Sequence, residues 1–259
     1  MSADTIAGAT LAGYGLLLAG LVVWRAWRCP QGWQRWLLYL IATLYCRLCF
    51  RWRANQHCPF QNEPAALIIA NHRSPIDPVL IWIGVFNRRP LEFLTAQEYF
   101  GIHGLKFIFE HMRAIPVARD GKDMAAIRTA MRRLKDGALV GVFPEGGIRL
   151  GADLSPGNPG VAWLALQARV PVYPVYIHNA PQSESMVAPF YDFRPVRIDY
   201  GDAIDLSSYY GKRSTPELLE EVIQLLMTRL ADLAGVKVLA QPNLRSAPQD
   251  STLPTSRAI

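Results

Sequence analysis

Seven consecutive residues, Asn71-His72-Arg73-Ser74-Pro75-Ile76-Asp77, place an imidazole and a carboxylate five positions apart with a serine between them. On a continuous helix each residue turns by about 100°, and that spacing would point the two side chains well apart. Pro75 and Pro78 oppose such a helix, because the residue before each proline is pushed out of the helical region. A turn is therefore expected after the apolar run Ala65 to Ala70, folding the Asp77 carboxylate back onto His72. An aspartate bonded to one ring nitrogen fixes the tautomer and supports the imidazolium, leaving the other nitrogen to take a proton. General-base help of this kind is worth about 10²–10⁴ in rate. A surface turn whose polar side chains cap a helix would have a similar composition. Ser74 is better placed to cap the turn than to act as a nucleophile.

A second stretch, Gly141-Val142-Phe143-Pro144-Glu145-Gly146-Gly147, falls where a buried strand should end. Glycines there let the backbone approach a ligand and present N–H groups to an anion. Arg149 follows within reach of the same loop, and a guanidinium suits bidentate contact with phosphate. Lys106 and Arg113 are further cations for such a site.

Apolar runs at Ala65–Ala70, Leu91–Thr95, Ala114–Val117, Ala138–Phe143 and Val170–Ile177 read as strands, with Val196–Tyr200 as an edge strand. Between them Lys122–Asp136 is an amphipathic helix with Met124, Ile127, Met131 and Leu134 on one stripe and Gly137 at its end. Val161–Arg169 and Pro216–Ala234 are two more helices. The alternation predicts an α/β fold, a central mostly parallel sheet flanked by helices, over residues 57–240. Residues 241–259, rich in Pro, Ser and polar residues, read as a disordered tail.

Residues 1–56 have a different character. Thr5 to Trp24 contains no charged residue, long enough to cross a hydrocarbon core of about 30 Å. A signal peptide would carry positive charge ahead of the apolar run, and here Asp4 is the only charged side chain there. Arg25, Arg28, Arg35, Arg47, Arg51 and Arg53 all follow the span, which predicts a membrane location with the catalytic domain on the cytoplasmic face. Trp36 to Cys46 is too short to span. With Trp33, Tyr39, Tyr45 and Trp52 around it, that run is an interfacial helix, a helix packed on the catalytic domain, or both.

The net charge of +6 fits a membrane surface or an anionic substrate; no nucleic-acid fold or stacking platform is visible, so no nucleic-acid partner is expected. Cys46 and Cys49 have a zinc-like spacing without a second ligand pair, so no metal site is expected and the cysteines are read as packing residues. A cytoplasmic placement argues against disulfides. His57, His103, His111 and His178 stand without a motif, and Tyr99, Phe100, Phe107 and Phe109 read as core rather than an acyl tunnel.

Taken in order, the motifs resemble those of the 1-acylglycerol-3-phosphate acyltransferases, the glycerolipid acyltransferase family. Its Asn-His-x-Ser-x-x-Asp block is matched by Asn71, His72, Ser74 and Asp77, and its Phe-Pro-Glu-Gly block by Phe143 to Gly146. An apolar strand ending in arginine is similar to Ile115-Pro116-Val117-Ala118-Arg119, and a Val-Pro-Val-x-Pro-Val strand to Val170–Val175. Two departures stand out. Gly147-Ile148 intervenes where many members continue with Thr-Arg-Ser, and Asn158 lies near a position where lysine is common.

The resemblance implies transfer of a fatty acyl group from acyl-CoA or acyl carrier protein to the free hydroxyl of 1-acyl-glycerol-3-phosphate, giving phosphatidic acid. His72 would be the base and Asp77 its support. Arg119, Glu145, Gly146, Gly147 and Arg149 would form the site for the acceptor phosphate. No cofactor is implied beyond the acyl donor as co-substrate. Partners would be a lysophospholipid acceptor, the donor and the bilayer; the oligomeric state is open. The alternative acceptors are a lyso-ornithine lipid, a lysocardiolipin-type substrate or a lysophospholipid bearing a headgroup. Outside enzymes the rival is a membrane-anchored lipid-binding protein, which intact His72, Asp77 and Glu145 oppose. A serine hydrolase is disfavoured because no Gly-x-Ser-x-Gly elbow occurs.

Overall fold

The computed structural model describes residues 2–85, 90–102, 104–118 and 123–240. Its first element, α1 (Ala3–Trp27), is capped by the Ser2 side chain accepting from the Thr5 N–H, and none of its residues is buried. At about 1.5 Å per residue it is long enough to cross a bilayer, and its composition is apolar enough to do so. The second helix, α2 (Trp33–Cys49), turns one face to the protein. Cys46 is completely buried, and Trp36, Tyr39, Ala42 and Tyr45 pack on the same core cluster. Tyr39 meets Trp82 edge-on with ring centroids 5.9 Å apart, and the Tyr45 hydroxyl donates to the Phe190 carbonyl. The opposite face exposes Trp33, Leu37, Ile41, Leu44 and Leu48 in a helical stripe. The helix is therefore packed on the domain along one face, as one of the two expectations had it, and is exposed and apolar along the other.

Beyond it run β1 (Arg53–Ala54), β2 (Ala66–Ala70), α3 (Asp77–Val85), β3 (Leu91–Ala96), α4 (Leu105–His111), β4 (Ile115–Val117), α5 (Met124–Lys135) and β5 (Leu139–Val142), followed by α6 (Pro159–Ala168), β6 (Val172–His178), β7 (Arg197–Tyr200) and α7 (Pro216–Asp232). The strands form a seven-stranded sheet in the order β1-β7-β6-β2-β5-β3-β4. Every pairing is parallel except that of β6 with β7. The central strand β2 is buried throughout, as its unbroken apolar run requires. Its side chains alternate between two cores. Ala66, Ile68 and Ala70 join a cluster with Phe50, Ile76, Leu80 and Ile81, while Leu67 and Ile69 join one built with α5, α6 and α7.

Three features differ from the expectations. Val196–Tyr200 is not the edge, because Arg53 and Ala54 pair outside it with Arg197 and Ile198. Helix α3 begins at Asp77, where no helix was expected; Pro78 sits in its first turn, where a missing N–H costs nothing. Helix α4 and strand β1 were also not expected, being too short to show a periodic signal. The tail from 241 lies outside the described residues. All four cysteines are free, and no metal-ligating cluster occurs among the described residues.

Candidate active site

Strand β2 ends at Ala70, and Asn71 anchors the chain as it leaves the sheet. Its buried side-chain amide donates to the Ile177 carbonyl at 3.1 Å and accepts from the Ile177 N–H at 2.7 Å. That pair of bonds ties the end of β2 to β6 just where the backbones stop pairing, and holds the start of the turn.

Inside the turn, His72 Nδ1 lies 2.9 Å from Asp77 Oδ2. The same oxygen accepts from the Arg73 N–H at 2.6 Å and the Ser74 N–H at 2.8 Å, and Ser74 Oγ donates to Oδ1 at 3.3 Å. Asp77 is completely buried. Its carboxylate is thus both the imidazole's partner and the hub around which residues 72–74 curl. The turn expected between His72 and Asp77 is present, and Ser74 caps it. With Nδ1–H given to Asp77, Nε2 is the basic nitrogen. No described residue hydrogen-bonds to Nε2, and the His72 side chain is 15% exposed.

The imidazole is also held from one face. Its ring stacks on Phe143 with centroids 3.9 Å apart and planes 11° apart, and Phe143 stacks on Phe93 at 5.3 Å. Gly141 makes room for this stack, since a Cβ there would overlap the Phe93 ring. Neither Phe93 nor the purpose of Gly141 was expected from the sequence.

Glu145 takes a different place from the one expected. It is 4% exposed. Its oxygens accept from Arg73 Nη1 at 3.1 and 3.2 Å, from the His72 N–H at 3.2 Å and from the Ser155 N–H at 2.9 Å. A buried carboxylate with its lone pairs so occupied is not a ligand for an anionic headgroup, which it would also repel. It is a brace behind the histidine. Arg73, at an unspecified position of the motif and not anticipated, completes the brace by donating also to the Arg149 and Asp153 carbonyls, both at 3.0 Å.

Gly146 adopts φ +74°, a region that a side chain would strain, and with Gly147 it opens the loop to solvent. Gly147 and Ile148 N–H make no hydrogen bond to a described residue. Arg149 is anchored through its N–H to the His72 carbonyl at 2.9 Å, while its exposed guanidinium makes no ion pair among the described residues. Of the anticipated phosphate-site residues, Gly146, Gly147 and Arg149 are thus brought beside His72. Arg119 lies outside the described residues. Asn158 caps α6, accepting from the Gly160 N–H, so the position where relatives often carry lysine is used structurally here. Arg113 lies away from this loop, against Glu92. His178, which has no motif, forms a second pair with Asp199 at 2.8 Å, shared with Arg197.

The site can therefore take a proton at His72 Nε2, near Gly147 and Ile148 N–H groups and an Arg149 guanidinium that have no partner among the described residues. Comparisons with known proteins agree in kind. Residues 53–178 match the family model described as Acyltransferase. The 1-acyl-sn-glycerol-3-phosphate acyltransferase of Bacillus subtilis is 25% identical over 126 residues, 48% of this chain and 61% of that protein. A probable 1-acyl-sn-glycerol-3-phosphate acyltransferase of Mycoplasma genitalium is 34% identical over 122 residues, 43% of each. The chain thus matches about three-fifths of the first relative's length and two-fifths of the second's. The crystal structure of the 1-acyl-sn-glycerophosphate (LPA) acyltransferase PlsC from Thermotoga maritima has the same fold, with a TM-score of 0.59 at 18% identity over 85% of this chain and 88% of that one.

Proposed function

We propose that this chain, whose residues 53–178 match the family model described as Acyltransferase, moves a fatty acyl group from a thioester donor to the free hydroxyl of 1-acyl-glycerol-3-phosphate, yielding phosphatidic acid. The observation that carries the reading is the 2.9 Å bond between His72 Nδ1 and a fully buried Asp77, which leaves Nε2 without a hydrogen-bond partner among the described residues.

The steps balance without a covalent enzyme intermediate. Nε2 takes the acceptor's hydroxyl proton as its oxygen bonds to the thioester carbonyl carbon. Asp77 stabilises the imidazolium that results. Negative charge gathers on the carbonyl oxygen, where the Gly147 and Ile148 N–H groups would stabilise it. When the C–S bond breaks, the imidazolium returns the proton to the thiolate. His72 ends neutral, and ester and thiol leave. Gly146, Gly147 and Arg149, with Arg119, would receive the acceptor phosphate; the exposed Arg149 guanidinium supports this.

Helix α1 and the outward stripe of α2 would seat the protein in the bilayer with its catalytic domain on the cytoplasmic face. The basic residues that follow α1, and not its N-terminal side, support that orientation. Substrate and product are both lipids, so the base would work where they reside. Labelled acyl-CoA and acyl carrier protein, each offered with a panel of lysolipids, test the reading. Transfer to 1-acyl-glycerol-3-phosphate is expected; transfer only to a headgroup-bearing or ornithine lysolipid would replace the acceptor, and thioester hydrolysis with no acceptor would replace the reaction.

A further inference from the structure

A charged cluster distinct from the catalytic one gathers at the other end of the strands. Glu92, level with Val140 in the sheet and completely buried, is approached by arginines from three elements. Arg133 Nε on α5 lies 3.2 Å from one oxygen, and Arg113 Nη1, just before β4, lies 3.6 Å from the other. Arg35, on α2, donates its Nε–H to the His111 carbonyl. Burial and the neighbouring Arg113 both disfavour the Arg35 cation, with Glu92 as its support. Two guanidinium groups pair with one carboxylate and Arg35 stands near as a third cation, so positive charge is in excess.

Arg35 and Arg113 line an open cleft of about 490 Å³. Its other walls include Pro30, Gln31 and Gln34 after α1, and Glu110 and His111 at the end of α4. The rim acid Glu110 is opposed by Lys106 at 3.8 Å. The depth of the cleft is set by α1, which ends at Trp27, with the Arg28 guanidinium 5.0 Å above the Trp24 ring. Tryptophan and arginine at the end of a span mark the headgroup layer. With α1 in the bilayer, Pro30 to Gln34 lies at that layer and the cleft opens onto lipid phosphates.

We propose that this cleft binds the phosphodiester of an anionic glycerophospholipid of the surrounding membrane, with Arg35 and Arg113 on the phosphate and the acyl chains left in the bilayer. Basic pockets beside a membrane helix on its cytoplasmic side suit that chemistry; guanidinium groups suit the phosphodiester, and the excess positive charge disfavours the cationic headgroup of a zwitterion. The site rests on α1 being in the membrane and is independent of the acyl-transfer reaction.

The test is equilibrium binding of labelled phosphatidylglycerol to the full-length protein in mixed micelles of neutral detergent. Saturable binding is expected, at least about tenfold tighter than for phosphatidylcholine. Arg35→Gln and Arg113→Gln should each weaken it by about tenfold, whereas Glu92→Gln, by removing the competing carboxylate, should tighten it several-fold. A gain of affinity cannot come from misfolding, so the three variants together separate the site from general damage. Equal binding of the two lipids, unchanged affinity in both arginine variants, or full competition by millimolar inorganic phosphate would each overturn the proposal. Loss of binding in Arg149→Gln with none in Arg113→Gln would place the lipid in the catalytic site and overturn it too. A protein that fractionates as soluble would overturn the proposal as well, since the cleft would then not lie at the lipid phosphates.

Discussion

Arg73 Nη1 reaches both carboxylate oxygens of Glu145, at 3.1 and 3.2 Å, across 72 residues of sequence and with both side chains closed to solvent. The pair joins the turn that carries His72 to the Phe143–Gly147 loop. Breaking a buried pair leaves an uncompensated charge, at a cost of about 3–5 kcal/mol. Arg73→Ala should therefore lower the melting temperature by roughly 10 °C in a chain of this size. Glu145→Gln keeps the shape but leaves the buried Arg73 cation unpaired and turns one acceptor oxygen into a donor, and should also lower the melting temperature. If Glu145 instead bound the acceptor, Glu145→Gln would raise KM for the lysolipid and leave the melting temperature unchanged.

His72→Ala should abolish acyl transfer without loss of fold, since His72 is partly exposed and its loss frees no buried charge that Arg73 and Ser74 N–H do not already hold. Asp77→Asn should cost about 10²–10⁴ in kcat, because an amide cannot stabilise the imidazolium. Melting curves and steady-state rates on the same preparations decide it; transfer retained in His72→Ala would remove the histidine from the mechanism.

The ring stack offers a subtler probe. Gly141→Ala pushes a methyl into Phe93, which passes the displacement through Phe143 to the imidazole. A kcat reduced about tenfold or more, with KM little changed, is expected, because a small misplacement of a base is costly. The variant Phe93→Leu, which relieves the overlap, should restore part of the rate in the double mutant. Absence of any rescue would show that the stack does not position His72.

These relationships also show what could be read from residues alone. The His72–Asp77 pair was legible because the two partners lie close in sequence on either side of a turn, with Pro75 keeping residues 72–74 out of a helix and Asp77 at the start of α3. The sheet was legible because its strands are unbroken apolar runs, and the amphipathic stripe of α5 because it repeats at helical spacing. Arg73 was hidden for the opposite reason: its partner lies far along the chain, and a buried arginine carries no local signature. Glu145 was misassigned because an acid beside glycines looks the same whether it faces a ligand or braces a turn. Helix α3 was obscured by the prolines, one of which is tolerated only because it falls in the first turn.

Asn71→Ala removes both bonds to Ile177 and leaves its N–H and carbonyl unsatisfied in a buried position. Each such group costs about 1–3 kcal/mol. Loss of stability should be accompanied by a lower kcat, since the same residue starts the turn that carries His72 and the proposed base is held there. Asn71→Asp, which can accept from the Ile177 N–H but not donate to its carbonyl, should fall between the two. Faster amide exchange at Ile177 than at Val175, seen only in the variants, would locate the damage at the strand end.

Glu92 supplies the pH dependence. Burial is the largest influence on its carboxyl and raises it from the ordinary 4.5, with Arg133, Arg113 and Arg35 pulling the other way. The folded chain therefore holds this proton more tightly than the unfolded chain does. Its contribution to stability is fully present below about pH 4.5 and is lost as pH rises through the folded value. Glu92→Gln cannot titrate and keeps the neutral form at every pH. Melting temperatures of the variant and the parent should be closest in mild acid, and should shift in the variant's favour as pH rises toward neutrality before levelling off. A difference independent of pH would mean that the three arginines hold Glu92 fully ionised in the fold at no cost.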